Sequence, residues 1–260
     1  MVITSASNEQ GKRVKKLIKS ARERKEAGLF IVEGIRMVRE IPDADIETLY
    51  VAQSSVAKFE TTLAKFGKVE PIIVADSVFD SMSDTNTPQG IMALVRMRTY
   101  SLEDVLGETP FVLVADRLQD PGNLGTIIRT AEGAGATGII LSKDSVDIYN
   151  PKVIRSTMGS VFRVPIYVSD DLVLDIDRLL AKNITVYAAH LSGNQFYDND
   201  YTKGCAFLIG NEGNGLSDEV SAKADSLLRI PMMGGVESLN AATSTAVICY
   251  EVLRQRYFKK

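Results

Sequence analysis

From Phe111 onward the chain alternates short, almost wholly apolar runs with helix-length segments. Apolar runs at 111–115, 138–141, 164–168, 185–189, 205–209 and 227–230 read as strands. Segments at 123–134, 150–158, 171–182 and 217–223 read as helices, and a long last helix spans 240–257. Strands separated by helices require a mostly parallel sheet covered on both faces, so the expected fold class is α/β. In such sheets ligands bind outside the carboxyl ends of the strands. The loops after the strands are therefore the place to look for chemistry.

The first hundred residues follow a looser α/β pattern. Ser7 and Gln10 fit a capping box, and Val14, Leu17, Ile18 and Ala21 recur at helical spacing, which predicts one helix ended by Gly28. "LFIVEG" reads as a strand, 35–41 as a helix stopped by Pro42, "TLYVA" and "PIIVA" as strands around a helix at 54–66, and "TPQGIMALVRM" as a turn and strand. Residues 97–110, with Gly107 and Pro110, read as a linker. The expected division is 1–98, a linker at 99–110, and 111–260. Residues 1–39 carry ten basic side chains against four acidic ones, although the whole chain is at −3. Such asymmetry fits a basic arm that docks on a polyanion, with Lys12, Arg13, Lys15 and Lys16 as the candidates for holding it. A merely solvated helix face is the alternative.

Composition narrows the classes further. No apolar run reaches the ~20 residues of a membrane helix, and "MVITSASNEQGKR" has no signal-peptide core. A cytoplasmic protein with no membrane partner is expected. Cys205 and Cys249 lie in separate apolar stretches and read as buried small hydrophobes of a reducing compartment. One histidine and no Cys/His cluster predict no metal site. His190, at the end of an expected strand, reads as a structural residue.

Three loops break the pattern in one way: each follows a strand, is rich in glycine and polar residues, and opens a helix. They are "DRLQDPGNLGTIIRTAEGAG" (116–135), "LIGNEGNGLS" (208–217) and "IPMMGGVESLNAATSTAVICYE" (230–251). Singly, each has a bland reading: Asn123 as a helix cap with Arg129 solvated, a tight turn with Glu212 exposed, an ordinary cap on a closely packed helix. The glycine spacing at Gly210, Gly213 and Gly215 is neither the dinucleotide pattern nor a phosphate loop. Three such loops converging on one sheet edge make a binding site the better reading.

These three segments, in order and at suitable separations, resemble the motifs of the SpoU/TrmH branch of the SPOUT RNA methyltransferases. "RSTMGSVFRVPI" (155–166) resembles the stretch between the first two motifs, and residues 8–97 resemble a small ribosomal-protein-like α/β domain that precedes it. The resemblance implies an S-adenosylmethionine-dependent ribose 2′-O-methyltransferase. It further implies a parallel sheet with a deep trefoil knot, a homodimer, and an RNA substrate. Ribosomal RNA is expected, with transfer RNA, or a non-catalytic RNA-binding assembly factor, as alternatives. A resistance enzyme that modifies one ribosomal nucleotide would have the same chemistry. Carried over position by position, Asn123, Arg129, Glu212, Ser238 and Asn240 form the catalytic set. Ile209, Gly210, Gly213, Ile230 and Leu239 hold the methyl donor, mainly through main-chain groups. Arg129 is expected to clamp phosphate and orient the hydroxyl, since arginine is a poor base.

Overall fold

The computed structural model describes residues 2–5, 7–67 and 69–258, with the side chains of all but Leu191 and Ser192. It divides into two compact units, Met1–Arg98 with Asp147–Phe162, and Thr99–Val146 with Arg163–Lys260.

The first unit holds a five-stranded mixed sheet of β1 (Val2–Ile3), β2 (Leu29–Glu33), β3 (Ile46–Ala52), β4 (Ile72–Val74) and β5 (Ile91–Arg96), in the order β1-β4-β3-β5-β2. β5 runs antiparallel to both β3 and β2; the other pairs are parallel. The expected single helix before β2 is two: α1 (Glu9–Lys19) and α2 (Ala21–Ala27). Asn8, rather than Ser7, caps the first by accepting the Gln10 N–H. Ser20 breaks the run in extended backbone and caps the second by accepting from Glu23. The break is stabilised by Arg24, which is 3% exposed and donates to the Leu17 and Ile18 carbonyls left unpaired at the end of α1. One of the ten basic residues of the arm is thus a buried structural group. Shorter helices α3 (Ile35–Val38), α4 (Glu60–Lys65) and α5 (Asp76–Met82) complete this stretch. Val14 and Leu17 of α1 pack with Val78, Phe79 and Met82 of α5 against the sheet.

The second unit begins with β6 (Phe111–Ala115), α6 (Pro121–Gly133) and β7 (Gly138–Ser142). The chain then contributes α7 (Pro151–Thr157) to the first unit and returns as β8 (Ile166–Ser169), α8 (Leu172–Ala181), β9 (Thr185–Gln195), β10 (Cys205–Ile209), α9 (Asp218–Ser221), β11 (Ser226–Arg229) and α10 (Ala241–Tyr257). The six strands pair in the order β11-β9-β10-β6-β7-β8, every pair parallel. The order turns back between β6 and β10, which makes the carboxyl edge at these two strands the switch point where open α/β sheets bind ligands. β9 runs six residues beyond the expected end, and His190 lies inside it rather than at its end. The extension is irregular: Leu227 pairs with Ala188 and Leu228 with Asn194. A Cβ at Gly193 would lie 2.5 Å from the backbone of Leu227 and Leu228, so glycine is required where the strands close up.

One face of this sheet is covered by Ile176 and Leu179 of α8 against Val112, Val114, Ala206 and Leu208. The other carries an aromatic cluster of Phe111, Tyr187, Phe196, Tyr201 and Phe207, and α10 packs on α6. Arg256 fastens the end of α10 by donating to the carbonyls of Thr109, Pro110, Tyr201 and Lys203. Cys205 and Cys249 are buried and free. Burial pushes both thiols up, Cys205 to about 11, which keeps them protonated and inert. No helix among the described residues is long and apolar enough to cross a membrane.

Candidate functional site

Because β10 pairs with β6 in register from Cys205–Phe111 to Ile209–Ala115, the loops after both strands start side by side. Asp116 follows the apolar run of β6 and is 3% exposed; its carboxylate accepts the Ser217 N–H at 2.9 Å. Arg117 then takes a left-handed conformation, φ 52°, uncommon for a residue with a side chain. Its N–H donates to Ser142 Oγ at 2.8 Å and its carbonyl accepts Asn211 Nδ2 at 2.7 Å. Asn211 Oδ1 accepts the N–H groups of Gly213 and Asn214. Asn211 and Gly215 exchange both backbone bonds, closing the loop on itself. A Cβ on Gly210 would meet Gly215 C and Leu216 N at 2.3 Å. The space beside Gly210 is therefore filled by the loop's own backbone. Gly215 needs its φ of 67°, whereas Gly213 has room for a side chain.

Asp120 caps α6, accepting the Asn123 N–H at 2.7 Å. Asn123 is thereby released from capping, and its amide joins the three loops. Asn123 Nδ2 donates to Glu212 Oε1 at 3.0 Å, while Asn240 Nδ2 donates to Asn123 Oδ1 at 3.0 Å. Glu212 also accepts the backbone N–H groups of Gln119 and Asp120, each at 3.2 Å. Asn240 is at the same time the cap of α10, accepting from Ala242 at 2.9 Å. Burial pushes the Glu212 carboxyl up, but the Asn123 amide and the backbone donors outweigh it and hold the group below its ordinary value. The result is a carboxylate–amide–amide chain, Glu212–Asn123–Asn240, with one member from each glycine-rich segment.

Arg129, on the third turn of α6, is exposed, and its side chain forms no ion pair or hydrogen bond among the described residues. Ser238 is likewise exposed and outside the chain of amides. Ile209 is buried at the end of β10, and Ile230 and Leu239 are half-buried at the two ends of an irregular strap. Residues 230–239 exchange no backbone–backbone hydrogen bond among the described residues. The Leu239 carbonyl accepts Ser244 Oγ at 3.3 Å; the main-chain groups of 230–239 that have no such partner are available to a ligand, as a site built on main-chain contacts requires. Met233, 98% exposed, lies on this strap. The RNA candidates belong to the other unit: Lys12 pairs with Glu9 and Arg13 with Glu47, while Lys15 and Lys16 are unpaired among the described residues. Reading by motif passed over Asp116, Asp120 and Asn211. The available signal was an acid directly after an apolar strand, a turn aspartate before proline, and an asparagine beside glycine.

Residues 110–250 match the SpoU rRNA Methylase family, and residues 8–93 match the MRM3-like substrate binding domain. The chain is 32% identical to the 23S rRNA (guanosine(2553)-2′-O)-methyltransferase of Bacillus subtilis, covering 96% of this chain and 98% of that one. It is also 32% identical to the 23S rRNA (uridine(2479)-2′-O)-methyltransferase of Streptomyces viridochromogenes, over 92% and 88% of the two chains. The crystal structure of the SpoU methyltransferase AviRb from the latter organism, in complex with AdoMet, superposes with a TM-score of 0.89 at 29% identity, covering 97% of this chain and all of that one. A parallel sheet whose three strand-end loops are joined through Glu212, Asn123 and Asn240, and a sequence matched over both units, place this chain in the SpoU rRNA methylase family.

Proposed function

We propose that the protein transfers the methyl group of S-adenosylmethionine to a ribose 2′-hydroxyl of ribosomal RNA. The observation that carries this reading is the joining of all three motif loops by one hydrogen-bonded chain at the switch point of the sheet. The relatives add that such chains act on 23S rRNA at a guanosine in one case and a uridine in another. The target base is thus a variable of the family, and the chemistry at the ribose is its constant.

The donor supplies an electrophilic methyl on a sulfonium and would be held by main-chain groups of 230–239 and by the end of β10 at Ile209 and Gly210. With the donor bound, the hydroxyl oxygen would form the new bond to carbon as the carbon–sulfur bond breaks, leaving a neutral thioether, and the hydroxyl proton would pass to solvent water. Catalysis of such a displacement rests on positioning. In this reading Arg129, whose side chain has no partner among the described residues, holds a phosphate and orients the hydroxyl; its high basicity makes it a clamp rather than a proton acceptor. Glu212 and Asn123 fix the loop ahead of Arg129, and Asn240 fixes the strap against that loop.

The same reading includes a threaded chain and a dimer. Residues 230–240 leave β11 at one edge of the sheet and pass the ends of β9 and β10 to bring Asn240 to Asn123; a trefoil knot needs such a crossing. α10 and its C-cap leave Tyr250 55%, Tyr257 72% and Phe258 68% exposed on the single chain, an apolar surface suited to a second copy. Two buried, free cysteines accord with a reducing cytoplasm.

The test is methylation of deproteinised ribosomal RNA with radiolabelled donor, followed by mapping of the 2′-O-methyl position. Label in ribosomal RNA, lost in Arg129→Ala, is the expected result. Label confined to transfer RNA would reject the substrate, and no label in any RNA would reject the activity. Mapping the site in a deletion strain separates housekeeping modification from drug resistance.

A further inference from the structure

Residues 147–162 interrupt the catalytic unit in sequence and fold with the first unit. The segment leaves β7 and returns to β8, its neighbour in the parallel sheet, but its contacts are elsewhere. Asp147 holds the buried Arg24 guanidinium at 2.5 and 2.8 Å, and that guanidinium caps the end of α1. The Tyr149 ring lies 4.5 Å from that of Phe30 in β2. Pro151, Ile154 and Arg155 of α7 share the walls of one small cavity with Ile18 of α1 and Ile31 of β2. At its other end, Gly159 lies so close to Glu40 that a Cβ would come within 2.6 Å of that side chain. α1 and α7 therefore both pack against the strand β2 and meet at that cavity.

The cations on these two helices fall into two groups. Lys12, Arg13 and Arg155 are each paired with a nearby carboxylate, of Glu9, Glu47 and Asp84. The ammonium groups of Lys15, Lys16 and Lys19 of α1 and Lys152 of α7 have no ion pair or hydrogen bond among the described residues, and all but the half-buried Lys15 are exposed. The whole unit carries 17 basic and 14 acidic side chains, against 13 and 19 in the catalytic unit. Unpaired ammonium groups on a basic unit are complementary to phosphate, as compact point charges that accept any backbone geometry.

We propose that α7 and α1 together form a composite RNA-binding face, in which Lys152, from inside the catalytic half of the sequence, joins Lys15, Lys16 and Lys19 in holding phosphates of one strand. This rests on the reading that RNA is the substrate, and it names the surface that takes it. The chain runs from β7 into α7 and from α7 into β8. A phosphate held at Lys152 is therefore held by the stretch of chain that connects two strands of the catalytic sheet. The basic arm is thus one part of the footprint, and the stretch between the first two motifs supplies the rest.

The experiment uses the full chain and deproteinised ribosomal RNA in filter binding from 50 to 300 mM KCl. Each lost phosphate contact releases fewer counterions, so Lys152→Gln is expected to flatten the log–log salt slope by about 0.7–0.9. It should also weaken binding several-fold at low salt. Lys152→Glu should be weaker still, and Lys152→Arg, which keeps the charge, should bind as the wild type does. Thermal midpoint and donor affinity should be unchanged in all three, which separates contact with RNA from support of the fold. Wild-type affinity and slope in both Lys152→Gln and Lys152→Glu, in a preparation that methylates RNA, would overturn the composite face and leave the proposed activity standing. A wild-type chain that binds phosphatidylserine vesicles and not RNA would overturn both.

Discussion

Replacing Glu212 with glutamine asks whether the three loops work as one unit. The carboxylate accepts the Gln119 N–H through Oε2 and both the Asp120 N–H and Asn123 Nδ2 through Oε1, at 3.2, 3.2 and 3.0 Å. Glutamine has the same shape but one oxygen. Either orientation of its amide points an –NH2 group at a donor, so at least one bond is lost. A hydrogen bond to a charged group contributes about 1.5–3 kcal/mol, which corresponds to roughly 10- to 100-fold in a rate that depends on it. The loss falls on the placement of Asn123, and through it Asn240, rather than on the core, since Glu212 is exposed. Single-turnover methyl transfer at saturating donor and RNA is expected to fall by that factor, with little change in thermal midpoint. Because the folded carboxyl lies below its ordinary value, its contribution is complete above the unfolded pKa of about 4.3 and is lost as pH falls through the folded value. The ratio of wild-type to variant rates should thus be flat from pH 6 to 9. A double-mutant cycle with Asn123→Ala supplies the decisive number: if Glu212 acts through Asn123, the two effects overlap by about 0.5–3 kcal/mol. Additive losses, or a variant at the wild-type rate, would refute the reasoning.

Arg129→Ala should lower methyl transfer by roughly 10² or more while calorimetry finds donor affinity retained, the scale for losing a positioned group at the reacting hydroxyl. Gly210→Val should lower both thermal midpoint and donor affinity, because its Cβ would sit 2.3 Å from Gly215 C and Leu216 N; a variant that loses donor affinity at an unchanged midpoint would put the clash with the ligand instead of the loop. Arg24→Met leaves Asp147 and two α1 carbonyls without their donor. The cost of breaking such a buried pair, about 3–5 kcal/mol, should appear as a drop of roughly 6–20 °C in melting scans. Sedimentation should find a dimer at micromolar concentration, shifted toward monomer by Tyr250→Glu on the exposed face of α10.

The alternating pattern from β6 to α10 was legible because strands buried on both faces of a parallel sheet must be almost wholly apolar. Phe111–Ala115 and Cys205–Ile209 could hardly be anything else. The three glycine-rich segments were legible for a related reason, since only chain that must turn tightly or meet other backbone concentrates glycine. Local pattern was weaker where a side chain from elsewhere decides. Ser20 sits within a continuous helical periodicity, and the break there is held by Arg24 reaching back to carbonyls six and seven residues earlier. β9 continues past its apolar run only because β11 pairs with it across an irregular register at Gly193. Nothing in "DIYNPKVIRSTMGSVF" announces that it folds with the first unit, because its allegiance is written in partners such as Arg24 and Phe30 more than a hundred residues away. The same holds at the site. Motif spacing brought Asn123, Glu212 and Asn240 to attention one by one, but their chain of hydrogen bonds exists because β10 inserts beside β6 and the strap returns Asn240 to α6. Residue types and short spacings record which groups must be polar, small or buried; which of them touch is set by strand order, a property of the whole sheet that no local stretch contains.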